Sequence, residues 1–258
     1  MSLRFIKTAL LTQCKLNLVL KLSFLLKLLA VVLKHGLFLL TWMFFFNRYV
    51  NIVGWGFSEM LAMYGFFSFG VGVVEMFFYG LRDLPHMVDT NLLDNYLTQP
   101  RSVLLNVALA KGDIVAFSEI INGLLLLGIS NYLKSDLFFL FFLLPLSALF
   151  IFSLHLYLSS ISFFVKNSRE FVRELYRNAT IIAGQPNSAY KGALKILTLT
   201  LIPTAYLSFF PIEFLRTHNN LLFLCAYLGT FVFFGFAWWF FYLGLSRYES
   251  SSVFSNKY

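Results

Sequence analysis

The chain has 258 residues, of which 59% are hydrophobic and only 12% are charged, and its formal net charge is +8. About one-quarter of an ordinary soluble domain is charged, so this composition excludes a soluble globular protein. Its apolar runs exceed the ~20 residues that cross a bilayer as a helix, which predicts an all-α polytopic membrane protein. The positive charge is typical of the positive-inside bias and not of nucleic-acid binding. Cys14 and Cys225 lie far apart and form no disulfide or metal-binding pattern.

The hydropathy pattern predicts a single transmembrane domain over the whole chain. Residues 3–22 place basic side chains on one arc and leucines on much of the rest, as in an amphipathic helix on an anionic leaflet. Six spans are expected after it, at about 24–46, 56–80, 108–133, 137–165, 188–210 and 219–244. Small residues that let helices approach closely recur in the second span, at Gly65, Ser68, Gly70 and Gly72.

Several polar or proline residues fall inside these spans. Lys34 and His35 lie near the middle of the first span, so either the span begins later or both residues face a protein interior. Glu75 is the candidate intramembrane functional charge, with pairing near an interface as the alternative. Pro203 and Pro211 disfavour a straight fifth crossing and predict a helix that ends early, followed by a re-entrant or surface turn.

The distribution of basic residues predicts the orientation. Six spans place both termini on one side of the membrane. All but three of the 20 Lys and Arg residues fall on that side, the exceptions being Arg48, Lys134 and Arg216. By the positive-inside rule, both termini are expected in the cytoplasm, together with the segment 81–101.

The segment 81–101 is the most patterned polar stretch of the chain. Asp89 is expected to cap a short helix, and Pro100 is expected to end it. One apolar stripe at helical period is formed by Leu92, Leu93, Tyr96 and Leu97. The pattern predicts a short amphipathic helix over about 85–100 at the membrane surface, and an interfacial helix without a partner is the alternative.

The motifs of several enzyme classes are absent from the sequence. There is no Walker A motif, no H-E-x-x-H and no G-x-S-x-G, and the four histidines are scattered along the chain. No catalytic residue, metal ligand or cofactor-binding residue is therefore predicted. The residues alone leave open an integral-membrane enzyme acting on lipid, with Glu75, Asp113 or Glu119 as acid or base, and a structural or assembly protein.

Four landmarks resemble the bacterial type-2 ABC exporter permeases, the six-span membrane subunits of ATP-driven exporters. They are GWGFSEMLAMYGF (54–66), LPHMVDTNLLDNYLTQP (84–100), IPTAYLSFFPIEFL (202–215) and GLSRYESSS (244–252). In the second landmark, the family's pattern is matched at Asp94, Tyr96, Leu97 and Pro100. Asn91 stands where the family often has glycine, and asparagine tolerates left-handed backbone geometry better than most residues.

The resemblance implies a role for the segment 81–101. In such permeases this loop is a coupling helix that docks in a groove of an ATPase subunit, a helix-in-groove contact. The groove would be filled by Leu93 with Tyr96 and Leu97, and Leu92 and Pro100 belong to the same ATPase-coupling segment. Rim contacts would be made by Asp89, Asp94 and Arg101.

The resemblance also implies the remaining parts of a transporter. The helix 3–22 would be a connecting helix on the inner leaflet, and an outer gate would include Pro203, Phe209, Phe210 and Pro211. The implied partners are two copies of an ABC ATPase, which would hold ATP and Mg, a second permease that is related or identical, and membrane lipids. The chain itself would hold no cofactor and would lie in the bacterial plasma membrane.

Overall fold

The computed structural model describes residues 21–48, 54–132, 136–185, 190–200, 202–207 and 209–249. In chain order its helices are α1 (Lys21–Arg48), α2 (Phe57–Phe78), α3 (Gly80–Asp89), α4 (Asp94–Leu97), α5 (Val103–Ala108), α6 (Phe117–Ile129), α7 (Leu137–Ser160), α8 (Arg169–Ala183), α9 (Ala193–Leu197), α10 (Phe209–Thr217) and α11 (Asn220–Leu245). No strand occurs among the described residues, which agrees with the all-α prediction. The predicted interfacial helix 3–22 lies outside the described residues, except for its last two positions at the start of α1.

Four of these helices, α1, α2, α7 and α11, are long and apolar enough to cross a bilayer. They correspond to the predicted spans 24–46, 56–80, 137–165 and 219–244. This arrangement is that of an all-α polytopic membrane protein.

The other two predicted spans, 108–133 and 188–210, are shorter or interrupted in the structure. The apolar helical stretch in the first runs only from Ile114 to Ile129, about 24 Å at 1.5 Å per residue, against the ~30 Å of a bilayer core. It starts late because the Asp113 carboxylate accepts a hydrogen bond from the Val115 N–H at 3.0 Å and caps the first turn. The second holds α9 and a 3-10 turn at Thr204–Tyr206. Six complete crossings stay a prediction.

α2 lies at the centre of the bundle, between α6 and α7, and α11 packs on α7. The contact of α2 with α6 is close because Gly65 faces Gly123. A Cβ atom added to Gly123 would lie 2.7 Å from the Gly65 carbonyl oxygen and 2.7 Å from the Phe69 nitrogen. The glycines therefore let the two backbones touch, as the small residues of the second span predicted.

Gly123→Ala is expected to lower the free energy of unfolding by about 1–3 kcal/mol, because both clashing atoms belong to backbone that must move. Gly36→Ala in α1 is the matched control, since a Cβ there meets nothing within 4 Å. The control should be neutral or stabilising, by up to about 1 kcal/mol. Thermal unfolding of the detergent-purified variants measures both, and equal melting temperatures for the two would contradict the close contact.

The two ends of the bundle carry different segments. The loop end carries α3, α4, α5, residues 161–168 and residues 246–249. The far end carries residues 54–56, residues 130–132 and α10. Only 6% of the most apolar 18-residue stretch of α1 is buried, so α1 lies at the edge of the bundle.

Candidate functional site

α3 is fixed to the loop end by its apolar face. Leu81, Leu84 and Met87 are buried on that face, in a cluster that includes Leu156 of α7 and Phe241 of α11. Residues three and four apart share one side of a helix, so the sequence of α3 dictates this stripe. α3 is therefore part of the packed bundle and presents only its outer side to a partner.

The chain turns between α3 and α4 at Asn91. This residue has a φ of 59°, the left-handed geometry that its side chain tolerates and that commonly ends a helix. The predicted single helix over 85–100 is therefore corrected. The structure has two helices, α3 from Gly80 to Asp89 and α4 from Asp94 to Leu97.

Asp89 is the last residue of α3, so the prediction that it caps a following helix is wrong. Its carboxylate instead accepts a hydrogen bond from the backbone N–H of Arg169 at 3.2 Å. Arg169 is the first residue of α8, and first-turn N–H groups have no partner within their helix. A negative charge is also favourable at this end of a helix. Asp89 thus joins α3 to α8.

Asp89→Ala is expected to destabilise the start of α8 by about 0.5–2 kcal/mol, the usual cost of losing a helix cap. Asp89→Asn keeps an acceptor oxygen and should lose less. The rate of limited tryptic cleavage at Arg169 and Arg173 measures the opening of α8. Identical cleavage rates in the alanine variant and the parent would show that the contact contributes nothing.

The apolar residues of the predicted stripe point in two directions. Leu92 and Leu97 are 44% and 40% exposed, whereas Leu93 is 0% exposed. Leu93 belongs to the cluster beneath α3, and Tyr96 packs half-buried against that cluster. The prediction that these residues form one stripe is therefore wrong, because the turn at Asn91 directs Leu93 toward the core while Leu92 and Leu97 stay exposed. Leu92 and Leu97 are the leucines left to meet a partner.

The predicted rim residues differ in their surroundings. The Asp94 carboxylate accepts a hydrogen bond from the Tyr248 hydroxyl at 3.0 Å. Burial, together with this carboxylate, raises the pKa of Tyr248 to about 12, so the hydroxyl remains a donor at neutral pH. Pro100 and Arg101 are exposed after α4. The loop is therefore tied to the end of the chain that follows α11.

A groove of about 520 Å³ adjoins the turn at Asn91. Its walls include Val88 and Asp89 from α3, residues 162–167 from the loop after α7, and residues 247–249. Lys166 and Arg247 bring positive charge to it. Sequence reasoning did not assign the residues after α7 to this surface, and the tail motif G-L-S-R-Y-E-S was the only signal for residues 247–249.

A second polar cluster lies within the bundle and fastens α1. Glu119 of α6 forms an ion pair with Lys34, and one of its carboxylate oxygens lies 3.0 Å from His35 Nε2. Ser68 of α2 donates to Glu119 at 2.8 Å. Of the two explanations for Lys34 and His35, the structure supports contact with the protein, since His35 is buried.

Glu75 is paired in the structure. It forms an ion pair with Arg82 of α3, and the Arg82 guanidinium lies 5.7 Å from the centre of the Tyr176 ring of α8. Asp83 and Lys111 form a further ion pair beside it. Glu75 therefore links α2 to α3, which corresponds to the paired alternative, and its functional role stays a prediction.

The residues predicted for an outer gate lie in an aromatic cluster near α10. Pro203 and Pro211 are buried, and Phe209 and Phe210 are partly buried. Phe210 stacks on Tyr206 with ring centres 5.2 Å apart. The structure brings these residues together, and gating by them stays a prediction.

An all-helical, multi-pass bundle with a fixed amphipathic loop at one end has the construction of a membrane transport subunit. The chain belongs to the ABC-2 family transporter proteins, whose family model matches residues 32–252. No curated protein and no solved structure gives a significant match. Family membership makes this chain a membrane subunit of an ABC transporter, a class that works with an ABC ATPase.

Proposed function

We propose that the chain is the permease subunit of an ABC exporter in a bacterial plasma membrane, with its loop end in the cytoplasm. The observation that carries this proposal is the ABC-2 match over residues 32–252. The excess of Lys and Arg at the loop end supports the orientation. Two copies of an ATPase would hold ATP and Mg and supply the hydrolysis.

The ATPase docks on the outer side of α3 and α4 in this proposal. Leu92 and Leu97 are exposed there, on a segment fixed from behind by Leu81, Leu84 and Leu93. A segment that is packed against the bundle moves together with the helices behind it, whereas a loose loop would deform when the ATPase closes. Closure of the ATPase would therefore move α3 together with α8, through Asp89.

A second permease chain, related or identical, would complete the pathway. The surface of α1 is rich in exposed apolar side chains, among them Leu29, Leu33, Leu37 and Phe44. Such a surface suits either lipid or a partner span. The aromatic cluster of Tyr206 and Phe210 would then close the pathway at the far end.

The experiment that tests this function is purification of the tagged chain from its native membranes in mild detergent. An ABC ATPase should accompany it, together with vanadate-sensitive ATP turnover. The second permease, if different, should appear in the same sample. Recovery of the chain alone, without turnover, would contradict the proposal.

A further inference from the structure

A cavity of about 560 Å³, open to the surface on one side, lies between α2, α6, α7 and α8, and Lys34 of α1 and Arg82 of α3 also line it. It is separate from the loop-end groove, because the two share no lining residue. Its charged lining residues are Lys34, Glu75, Arg82, Glu119, Arg173, Glu174 and Arg177. A cavity of this size and polarity is unusual among packed apolar helices and has the dimensions of a small-molecule site.

One wall of the cavity changes from charged to apolar along α2. Phe67, Val71 and Glu75 all line it, and residues four apart lie on one face of a helix. Glu75 is nearest the loop end, where it meets Arg82. Phe67 lies about 12 Å farther in, at 1.5 Å per residue.

The opposite wall, on α8, changes in the same direction. Arg173, Arg177 and Ile181 line the cavity at the same spacing of four. α8 begins at the loop end, where Asp89 holds Arg169, so Ile181 lies about 12 Å beyond Arg173. These two walls are charged near the loop end and apolar deeper in, whereas the paired Glu119 and Lys34 line a third side of the cavity at the depth of Phe67. The path along α2 and α8 fits a ligand with a charged head and an apolar body.

The charges of the cavity favour an anionic head group. Glu75 and Glu119 are engaged by Arg82, Lys34 and His35. Among the residues that the structure describes, the remaining cations, Arg173 and Arg177, pair with glutamates three residues earlier on their own helix, and their side chains are 64% and 70% exposed. Exposed pairs of this kind are weak.

These two arginines can therefore exchange their partners for a ligand. The guanidinium group binds phosphate through two parallel hydrogen bonds. His155 of α7 also lines the cavity, and its buried Nδ1 has no hydrogen-bond partner among the described residues, so a further polar atom of the cavity lacks a protein contact.

We propose that this cavity binds an amphiphile with an anionic, phosphate-bearing head group. The head group lies between Arg173 and Arg177, and the apolar part extends along Phe67, Val71 and Ile181. That the amphiphile is also the transported substrate rests on the proposed permease function. The binding itself does not, since it requires only this chain.

Binding is tested on the purified chain in neutral detergent, without ATPase. The probe is a fluorescent phosphatidylglycerol analogue, compared with a diacylglycerol analogue that has the same acyl chains and no phosphate. Arg177→Ala should weaken phosphatidylglycerol binding at least tenfold. Arg169→Ala removes the same charge from the same helix outside the cavity and should change the affinity less than twofold.

Three results would overturn the proposal. The diacylglycerol analogue could bind as tightly as phosphatidylglycerol, or Arg169→Ala could lose as much affinity as Arg177→Ala. Inorganic phosphate could displace the probe at the concentration at which unlabelled phosphatidylglycerol does, which would define a site for a free anion and not for an amphiphile.

A second variant tests the apolar part of the cavity. Ile181 is 58% exposed, so Ile181→Trp can fill the cavity without disturbing the core. It should weaken phosphatidylglycerol binding at least tenfold at an unchanged melting temperature, and unchanged affinity would contradict the proposed pose. Because the assay contains no ATPase, a failure to bind the lipid would not argue against ATPase docking. Likewise, a failure of ATPase docking would not change how lipid binding is interpreted.

Discussion

Replacing Leu92 and Leu97 together with aspartate is expected to abolish recovery of the ATPase while the chain still inserts and folds. Both leucines are exposed, so the substitutions remove nothing from the core. Burying a leucine fully contributes roughly 1.5–3 kcal/mol, and about 1.4 kcal/mol is a factor of ten in affinity. Because less than half of each side chain is still exposed, losing both contacts should weaken docking by about tenfold or more. Co-purification of the ATPase with the variant measures the loss.

Leu137→Asp with Leu221→Asp is the matched control. These leucines are 64% and 63% exposed and lie near the first turns of α7 and α11, at the end away from α3. The control should retain the ATPase. If the Leu92 and Leu97 variant retained it equally well, the docking surface would lie elsewhere.

Leu93 is unsuitable for the same test. It is fully buried beneath α3, so Leu93→Asp would place a charge in the core and unfold the loop end. A loss of ATPase would then report misfolding and not a missing contact. The distinction between Leu92 and Leu93, adjacent in sequence, comes from the turn at Asn91.

Replacing Glu119 with glutamine is expected to destabilise the contact of α1 with the rest of the bundle. Glu119 is 7% exposed and faces Lys34, His35 and Ser68. Glu119 is buried, but Lys34 is 53% exposed and its charge can be hydrated, so losing the ion pair and the hydrogen bonds of the carboxylate should cost about 1–3 kcal/mol. Because Phe38 stacked on Tyr64 and the Lys27–Asp113 ion pair also hold α1, α1 should loosen and not detach. Thermal unfolding in detergent and protease sensitivity of α1 measure the effect.

Glu170→Gln is the control for this prediction. Its ion pair with Arg173 is 64% exposed on each side, and exposed pairs contribute about 0–1 kcal/mol. Lys34→Met combined with Glu119→Gln should cost less than the sum of the two single changes, because both remove one interaction. Full additivity, or equal effects of Glu119→Gln and Glu170→Gln, would contradict a structural role for the cluster.

The long apolar helices could be predicted from the sequence, whereas the helix break at Asn91 could not. The runs that became α1, α2, α7 and α11 have a length and composition that allow few alternatives in lipid. Asn91 occupies a position where the backbone geometry excludes most residues. The hydropathy of the long runs is a local signal, whereas the apolar period over 85–100 continues across Asn91 and so does not reveal the break.

The contacts between distant segments could not be predicted. Asp89 looked like a cap for the residues after it, yet it caps α8, which begins 80 positions later. Lys34 and His35 looked misplaced until Glu119, on another helix, was brought beside them. Helical periodicity gives the side of a helix but not its neighbour, so these pairings depend on tertiary packing.

Site-specific photocrosslinking can show whether the ATPase docks on the outer side of α3 and α4. A photoreactive phenylalanine analogue is placed at position 97 in one sample and at position 138, near the start of α7, in the other. Phe138 is 70% exposed and lies away from the loop end. If the ATPase docks on the outer side of α3 and α4, it should be crosslinked from position 97 and not from position 138. An adduct from position 138 alone would contradict this docking.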